Sequence, residues 1–111
     1  MTQRAAIYVR VNKSNQVEGR DSLSRQIESC TTFALESGFD VVGIYQDAIS
    51  GRVPVLDRPQ GLELYLAIQA RLINAVIVYR FDRLSRDVVD FLTTVRDWSQ
   101  EGVEIYGLDQ G

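Results

Sequence analysis

The chain has 111 residues, of which 45% are hydrophobic and 24% charged, and its formal net charge is −3. This composition is typical of one globular domain, and the acidity argues against a free-standing nucleic-acid-binding module. Histidine is absent and Cys30 is the only cysteine, which excludes histidine-dependent catalysis, most zinc sites and a disulfide framework.

The first half of the chain predicts two strands around one helix. Residues 4–11 form an apolar strand, which a polar loop follows. Asp21 or Ser22 is expected to cap a helix whose apolar positions recur at helical spacing, and Gly38 is expected to end it. Residues 40–45 predict the second strand.

The second half continues this alternation. A long loop with turn signals is expected over 46–59, a helix over 60–72, a strand over 74–79, a helix over 85–101 and a strand over 103–108. The order β-α-β-α-β-α-β indicates an α/β fold, with a doubly wound, mostly parallel sheet and helices on both faces.

Polar side chains follow three of the predicted strands. In open α/β sheets, ligands bind beyond the carboxyl ends of the strands, so these side chains are expected at one rim. The residues of these three polar clusters are Arg10, Asn12, Lys13, Ser14 and Gln16 after the first strand, Asp47, Ser50, Gly51, Arg52, Asp57 and Arg58 after the second, and residues 80–87 after the third.

The segment "DRLSR" is the most informative of these. Arg83 and Arg86 would share one face if a helix begins there, close to an N-terminus that favours anions. Together with Arg10 they suggest a site for phosphate transfer, and Asp82 could orient one of the arginines or cap the helix. Eleven of the twelve basic residues are arginine, the side chain suited to bidentate phosphate contacts.

Each of these residues also has a purely structural interpretation. Asp82 could be only a helix cap beside solvated arginines, and Arg10 could form a salt bridge with Asp47 or Asp82. Gln26 lies in the first turns of a helix, where a glutamine is more often on the surface. Cys30 is expected to be a core residue, since nothing nearby in the sequence would activate a thiolate.

Four motifs in order resemble the catalytic domain of the serine recombinases, the resolvase–invertase–integrase family. "YVRVN" resembles the family's Tyr-x-Arg-Val-Ser, "DSLSRQIESC" its next segment, "DAISGRVPVLDRP" its Asp-x-x-Ser-Gly and Arg-Pro elements, and "FDRLSRD" its Asp-Arg-Leu-x-Arg. The spacing from Gln16 to Gln26, and from Ser22 to Cys30, resembles the large integrase and transposon subgroup. The resemblance covers essentially all 111 residues.

This resemblance implies site-specific recombination of DNA, without a metal or another cofactor. A serine hydroxyl attacks the scissile phosphate and becomes linked to the 5′ end, while arginines stabilise the transition state. Arg10, Arg83 and Arg86 would form the phosphate clamp. Side chains in a supporting role would be Asp82, Arg58, Gln26 and Gln16, with Asp47 buttressing the site.

The nucleophile position departs from the family pattern, because Asn12 stands where serine is expected. A carboxamide is not a nucleophile, although it can hydrogen-bond a phosphate oxygen. Ser14 is two residues further, which displaces a side chain by about 6 to 7 Å along an extended chain, whereas attack needs about 3 to 3.5 Å. Gln16 keeps its register with Asn12, so we expect that the chain cannot cleave DNA, unless a flexible loop delivers Ser14.

Residues 1–111 are expected to be one catalytic domain that stops before the long dimerisation helix and the DNA-binding region implied by the family. The full-length protein would act on DNA as a homodimer and a synaptic tetramer, whereas this acidic portion would bind DNA weakly or not at all. Nothing resembles a signal peptide and the apolar runs are as short as strands, so we expect a cytoplasmic location and no membrane partner.

Two alternatives remain at this point. The first is a non-catalytic relative, regulatory or structural, that binds DNA phosphate or partner subunits. The second is an unrelated flavodoxin-like binding domain or phosphoacceptor, for which Asp47 follows a strand but the expected acidic cluster and later lysine are missing.

Overall fold

The computed structural model describes residues 3–12 and 22–110. Four strands alternate with helices: β1 (Arg4–Val11), α1 (Leu23–Ser37), β2 (Asp40–Ala48), α2 (Pro59–Gln69), β3 (Ala75–Val78), α3 (Phe81–Leu84), α4 (Val88–Gln100) and β4 (Glu104–Gly107). All neighbouring strands pair in parallel, in the order β2-β1-β3-β4. The predicted α/β fold with a parallel sheet is therefore confirmed.

Two hydrophobic clusters cover the two faces of the sheet. Alternate residues of β1 point to opposite faces, so that Ile7 packs with Cys30 and Ala34 of α1, whereas Tyr8 packs with the cluster that holds Leu64 and Trp98. Burial raises the pKa of the Cys30 thiol to about 12, in keeping with the expectation of a core residue. Helices thus lie on both faces, as predicted.

The ends of α1 follow from capping chemistry. Ser22 is the N-cap, and its hydroxyl accepts a hydrogen bond from the backbone N–H of Arg25. Gly38 adopts a left-handed conformation, with φ of 79°, and its N–H satisfies carbonyls of the last turn. Both predicted ends are confirmed.

Several boundaries differ from the sequence prediction, of which three matter for the site. β2 runs on to Ala48, because it pairs with β1 as far as Val11, so the following loop is shorter than expected. α2 begins at Pro59, where proline needs no N–H partner, and ends at Gln69. The helix predicted over 85–101 is present as α4 but begins later, at Val88, and the short helix α3 precedes it as a separate turn.

No helix in the described ranges is both long enough and apolar enough to cross a membrane.

Candidate active site

The guanidinium of Arg10 lies fully buried at the carboxyl end of β1. Its Nε donates to the carbonyl of Arg83 (3.0 Å) and its Nη2 to the carbonyl of Asp82 (2.9 Å). Its Nη1 donates to the carbonyl of Ile49 (2.9 Å) and to Oδ1 of Asn12 (3.1 Å). The chain segments after β1, β2 and β3 therefore meet around one cation. This is the arrangement expected at the carboxyl ends of parallel strands.

All four of these acceptors are uncharged. The salt bridge from Arg10 to Asp47 or Asp82, considered as an alternative, is thus wrong: Asp82 contributes its carbonyl, and Asp47 binds other groups. Burial, together with the charges of Arg58 and Arg83, lowers the pKa of Arg10 to about 10. At neutral pH the guanidinium remains charged, and an anion bound nearby would offset the free-energy cost of burying that charge.

Gln26 is fully buried, so the surface interpretation of this residue is wrong. Its Nε2 donates to the carbonyl of Arg10 (3.0 Å), and its Oε1 accepts from the N–H of Arg10 (3.2 Å). The pairing of β3 with β1 ends at Tyr8 and Val78, and the Gln26 amide satisfies the strand backbone beyond that point. This side chain therefore fixes the backbone that carries the guanidinium.

We expect Gln26→Ala to lower the free energy of unfolding by about 1 to 3 kcal/mol, because two buried backbone groups lose their partners. Chemical denaturation followed by tryptophan fluorescence would measure this loss. Glu28→Ala, at an exposed position of the same helix, is the matched control and should change stability by less than about 0.5 kcal/mol. An equal effect of the two substitutions would contradict the role given to the Gln26 amide.

A second buried network lies beside Arg10. Asp47 accepts hydrogen bonds from the Tyr8 hydroxyl (2.8 Å) and from the backbone N–H groups of Gln60 and Gly61 (3.0 Å each). Its carboxylate thus caps the N-terminus of α2 from another strand. The Tyr8 hydroxyl also accepts from Nη1 of Arg58 (3.1 Å), which links Asp47 to a fully buried guanidinium.

Arg58 is held from several directions. Its Nε donates to the carbonyl of Val53 (2.9 Å), its Nη2 donates to the carbonyl of Gly51 (3.3 Å), and its Cζ lies 5.9 Å from the centre of the Tyr8 ring. Burial is the main cause that raises the pKa of the Tyr8 phenol above its usual range, so the hydroxyl remains protonated and can donate to Asp47. Arg58 therefore holds the loop after β2 against the sheet.

The "DRLSRD" segment differs from the expected helix start. Arg83 lies within α3, while Arg86 follows the extended Ser85, so the two do not share one helix face. α4 begins later, with Asp87 as its N-cap, whose carboxylate accepts from the N–H of Asp90 (2.8 Å). The backbone N–H of Arg86 instead donates to the carbonyl of Gly51 (2.9 Å).

Asp82 pairs with arginines and does not cap a helix through its side chain. Its carboxylate lies 3.5 Å from Nη2 of Arg80 and 3.8 Å from Nε of Arg83. The side chain of Arg83 is 13% exposed and that of Asp82 is 40% exposed, so this pair lies at the edge of the site. Of the two roles considered for Asp82, the geometry matches the orientation of an arginine.

Most of the predicted site residues that the structure describes meet at this rim. The Arg10 guanidinium contacts Asn12, Asp82 and Arg83 directly. Gln26 binds the backbone of Arg10, and Arg58 binds the carbonyl of Gly51 in the loop after β2. Ser14 and Gln16 lie outside the described residues. The Tyr8 hydroxyl and the carbonyls of Ile49 and Gly51 bind side chains of the site without having been predicted to do so. The position of Tyr8 in the "YVRVN" motif is the available signal.

Comparison with known proteins gives the family and the fold. The family model of the resolvase N-terminal domain matches residues 5–111. The N-terminal catalytic domain of TP901-1 integrase is 35% identical, with 97% of this chain and 79% of that chain covered and a TM-score of 0.89. The C-terminal catalytic domain of ISC1926 TnpA, an IS607-like serine recombinase, is 32% identical over 95% of this chain and 69% of its own, with a TM-score of 0.83.

A resolvase family site-specific recombinase from Streptococcus pneumoniae is similar as well. It is 27% identical to this chain, covers 99% of it and 74% of its own length, and has a TM-score of 0.82. The similar structures thus include an integrase, a TnpA protein and a resolvase family recombinase, in keeping with the integrase and transposon subgroup that the sequence spacing resembles.

Proposed function

The chain belongs to the resolvase family of serine recombinases and is a catalytic domain of a site-specific recombinase; from this premise we propose that it holds a DNA phosphate but does not cut it. Asn12 occupies the nucleophile position of the family motif. The proposed clamp consists of Arg10, Arg83 and Arg86, with Asp82 orienting Arg83. No metal is required, because guanidinium groups supply the positive charge at the reacting phosphate.

The observation that carries this proposal is the contact between Asn12 and Arg10. Oδ1 of Asn12 accepts a hydrogen bond from Nη1 of Arg10 at 3.1 Å, so the side chain at the nucleophile position faces the buried cation. A serine there would have its hydroxyl close to a phosphate bound by Arg10. The carboxamide has no nucleophilic oxygen of that kind, but its Nδ2 can donate a hydrogen bond to a phosphate oxygen.

The remaining side chains have supporting roles in this proposal. Gln26 and Arg58 hold Arg10 and the loop after β2, and Asp47 anchors α2 beside them. Gln16 would complete the site by family resemblance. In the full-length protein the DNA would be bound by a homodimer that assembles into a synaptic tetramer.

A chimaera tests the proposal, with this chain in place of the matching catalytic domain of TP901-1 integrase and with the recombination sites of that integrase as DNA. The measurement is the amount of protein–DNA complex that survives denaturation with SDS. We expect no such complex with Asn12 and a covalent complex with Asn12→Ser, whose hydroxyl would lie within about 3 to 3.5 Å of the phosphorus. The unmodified integrase is the positive control, and its variant with asparagine at the matching position is the negative control.

Ser14→Ala is the control for the other candidate nucleophile. We expect the Asn12→Ser variant to form the complex with or without Ser14. A covalent complex of the unchanged chain that Ser14→Ala abolishes would overturn the proposal, because Ser14 would then be the nucleophile.

The second candidate function is a non-catalytic relative that binds DNA phosphate or partner subunits. The observation that favours it is the hydrogen bond of Asn12 to Arg10, since a carboxamide fits the site without the serine. A folded Asn12→Ser chimaera that forms no covalent complex would support this candidate and contradict a catalytic domain disabled by one substitution.

A further inference from the structure

Gly51 lies in the loop after β2, is buried, and contacts three arginines of the site. Its carbonyl oxygen accepts from Nη2 of Arg58 (3.3 Å) and from the backbone N–H of Arg86 (2.9 Å). Its Cα faces the guanidinium of Arg10 and the side-chain stem of Arg86. One residue without a side chain is therefore the common contact of Arg10, Arg58 and Arg86.

The close approach of these groups leaves no room for a methyl group. A Cβ on Gly51 would lie 2.5 Å from Cγ of Arg86, 2.7 Å from Nη2 of Arg10 and 2.8 Å from Cζ of Arg10. These distances are well below van der Waals contact, which is about 3.5 to 4.0 Å between carbon atoms. Among the glycines of the described ranges, only Gly38 and Gly102 have positive φ, so glycine at 51 is needed for space and not for a left-handed backbone.

Relief of this clash would disturb the arginines. The guanidinium of Arg10 is buried and bound to four acceptors, so it cannot swing away without losing hydrogen bonds. Arg86 is exposed, but its Cγ is close to its own backbone and moves little when the end of the side chain rotates. The backbone N–H of Arg86 is hydrogen-bonded to the carbonyl of Gly51. A side chain at position 51 must therefore displace Arg10, Arg86 or the loop that carries both contacts.

We infer that Gly51 is a positioning residue, whose missing side chain and carbonyl oxygen set the spacing of Arg10, Arg58 and Arg86. Like-charged guanidinium groups repel one another, and the carbonyl of Gly51 between Arg58 and the backbone of Arg86 offers a neutral acceptor in that crowded region. The claim that these arginines hold phosphate rests on the proposed function. The spacing itself does not, and it can be tested in the full chain without DNA.

The test is Gly51→Ala, with the Nε–H signal of Arg10 in ¹H–¹⁵N NMR spectra as the readout. In the unchanged chain this N–H is buried against the carbonyl of Arg83, so we expect it to be protected from hydrogen exchange. In Gly51→Ala we expect a shifted signal and exchange at least about tenfold faster. A Gly51→Ala chain with an unchanged Arg10 Nε–H signal and an unchanged exchange rate would overturn the inference.

Gly43→Ala is the matched control, because the three atoms nearest to its Cβ would all belong to the side chain of Tyr45, at 3.0 to 3.4 Å. This variant should leave the Arg10 signal unchanged. Any loss of protection in Gly43→Ala equal to that in Gly51→Ala would show a general loosening of the fold, and would also count against the inference.

A double variant covers the case in which Gly51→Ala folds but is too unstable for the exchange measurement. Arg86→Ala removes the Cγ atom that lies nearest to the added methyl group. We therefore expect the Gly51→Ala/Arg86→Ala chain to unfold at a higher denaturant concentration than Gly51→Ala alone, although it carries one more substitution. A double variant no more stable than the single one would contradict the packing explanation.

A cleavage assay separates this inference from the proposed function. In the Asn12→Ser chimaera, Gly51→Ala should reduce covalent complex formation by about 10²-fold, the cost of misplacing reacting groups by about 1 Å. An inactive Asn12→Ser chimaera would count against the proposed function but not against Gly51, whose NMR test needs no activity. An active chimaera that Gly51→Ala leaves unaffected would overturn the positioning role alone.

Discussion

Replacement of Arg58 by alanine is expected to lower the free energy of unfolding by about 3 to 5 kcal/mol. The guanidinium is fully buried, and its loss leaves the carbonyl of Val53 without this donor and the carbonyl of Gly51 with the N–H of Arg86 alone. Tyr8 loses a hydrogen-bond donor as well, while the buried carboxylate of Asp47 loses the cation to which Tyr8 links it. The cavity left where the arginine side chain is removed beyond Cβ adds to this loss of stability.

The measurement is denaturant unfolding at neutral pH, with the single tryptophan as the probe. Arg58→Lys keeps the charge but not the planar set of donors. Its free energy of unfolding should therefore lie between those of the unchanged chain and Arg58→Ala. Arg96→Ala is the matched control, because the Arg96 side chain is 67% exposed and pairs with Asp97 next to it. We expect that control to change stability by less than about 0.5 kcal/mol, and a similarly small effect of Arg58→Ala would contradict the network.

The parts of the fold that were predicted well depend on local chemistry. β1 ends at the predicted residues, since its apolar run is buried in the centre of the sheet. α1 begins at Ser22 and ends at Gly38 for reasons visible in a few adjacent residues: a hydroxyl that caps, and a glycine that tolerates positive φ. Such signals need no knowledge of the tertiary structure.

The segment between β3 and α4 shows where local signals are ambiguous. Both Asp82 and Asp87 are acidic residues that precede apolar positions, so each is a reasonable helix start. Asp87 caps α4, while the Ser85 hydroxyl donates to a carboxylate oxygen of Asp90 (2.9 Å) and fixes the extended link. The choice between the two starts depends on contacts with the loop after β2, which the sequence does not reveal.

The partners of the buried polar residues could not be predicted for a related reason. Arg10 binds three backbone carbonyls, and a carbonyl has no residue-specific signature in a sequence. Gln26 binds the backbone of Arg10 at a point that β3 does not reach, and this depends on the sheet register. The convergence of the three polar clusters, by contrast, follows from the topology of a parallel sheet and was predictable.

Replacement of Arg10 by lysine is expected to be severe even though the charge is kept. An ammonium group on a flexible stem has three N–H donors and cannot serve four acceptors that surround a planar guanidinium, so at least one of them would lose its donor. We expect a loss of about 2 to 4 kcal/mol in the free energy of unfolding, measured in the unchanged Asn12 background. In the Asn12→Ser chimaera we expect covalent complex formation to fall by about 10² to 10³-fold, because the cation at the phosphate would be misplaced.

Arg52→Lys is the matched control for this prediction. Arg52 lies beside Gly51 in the same loop, but its side chain is exposed, and its backbone N–H makes the hydrogen bond to Ser50. Lysine at this position should therefore leave stability within about 0.5 kcal/mol and cleavage nearly unchanged. Equal losses at positions 10 and 52 would contradict this prediction, because an exposed arginine would then matter as much as the buried one. A loss confined to position 10 would mean that the fixed geometry of the buried guanidinium governs the reaction.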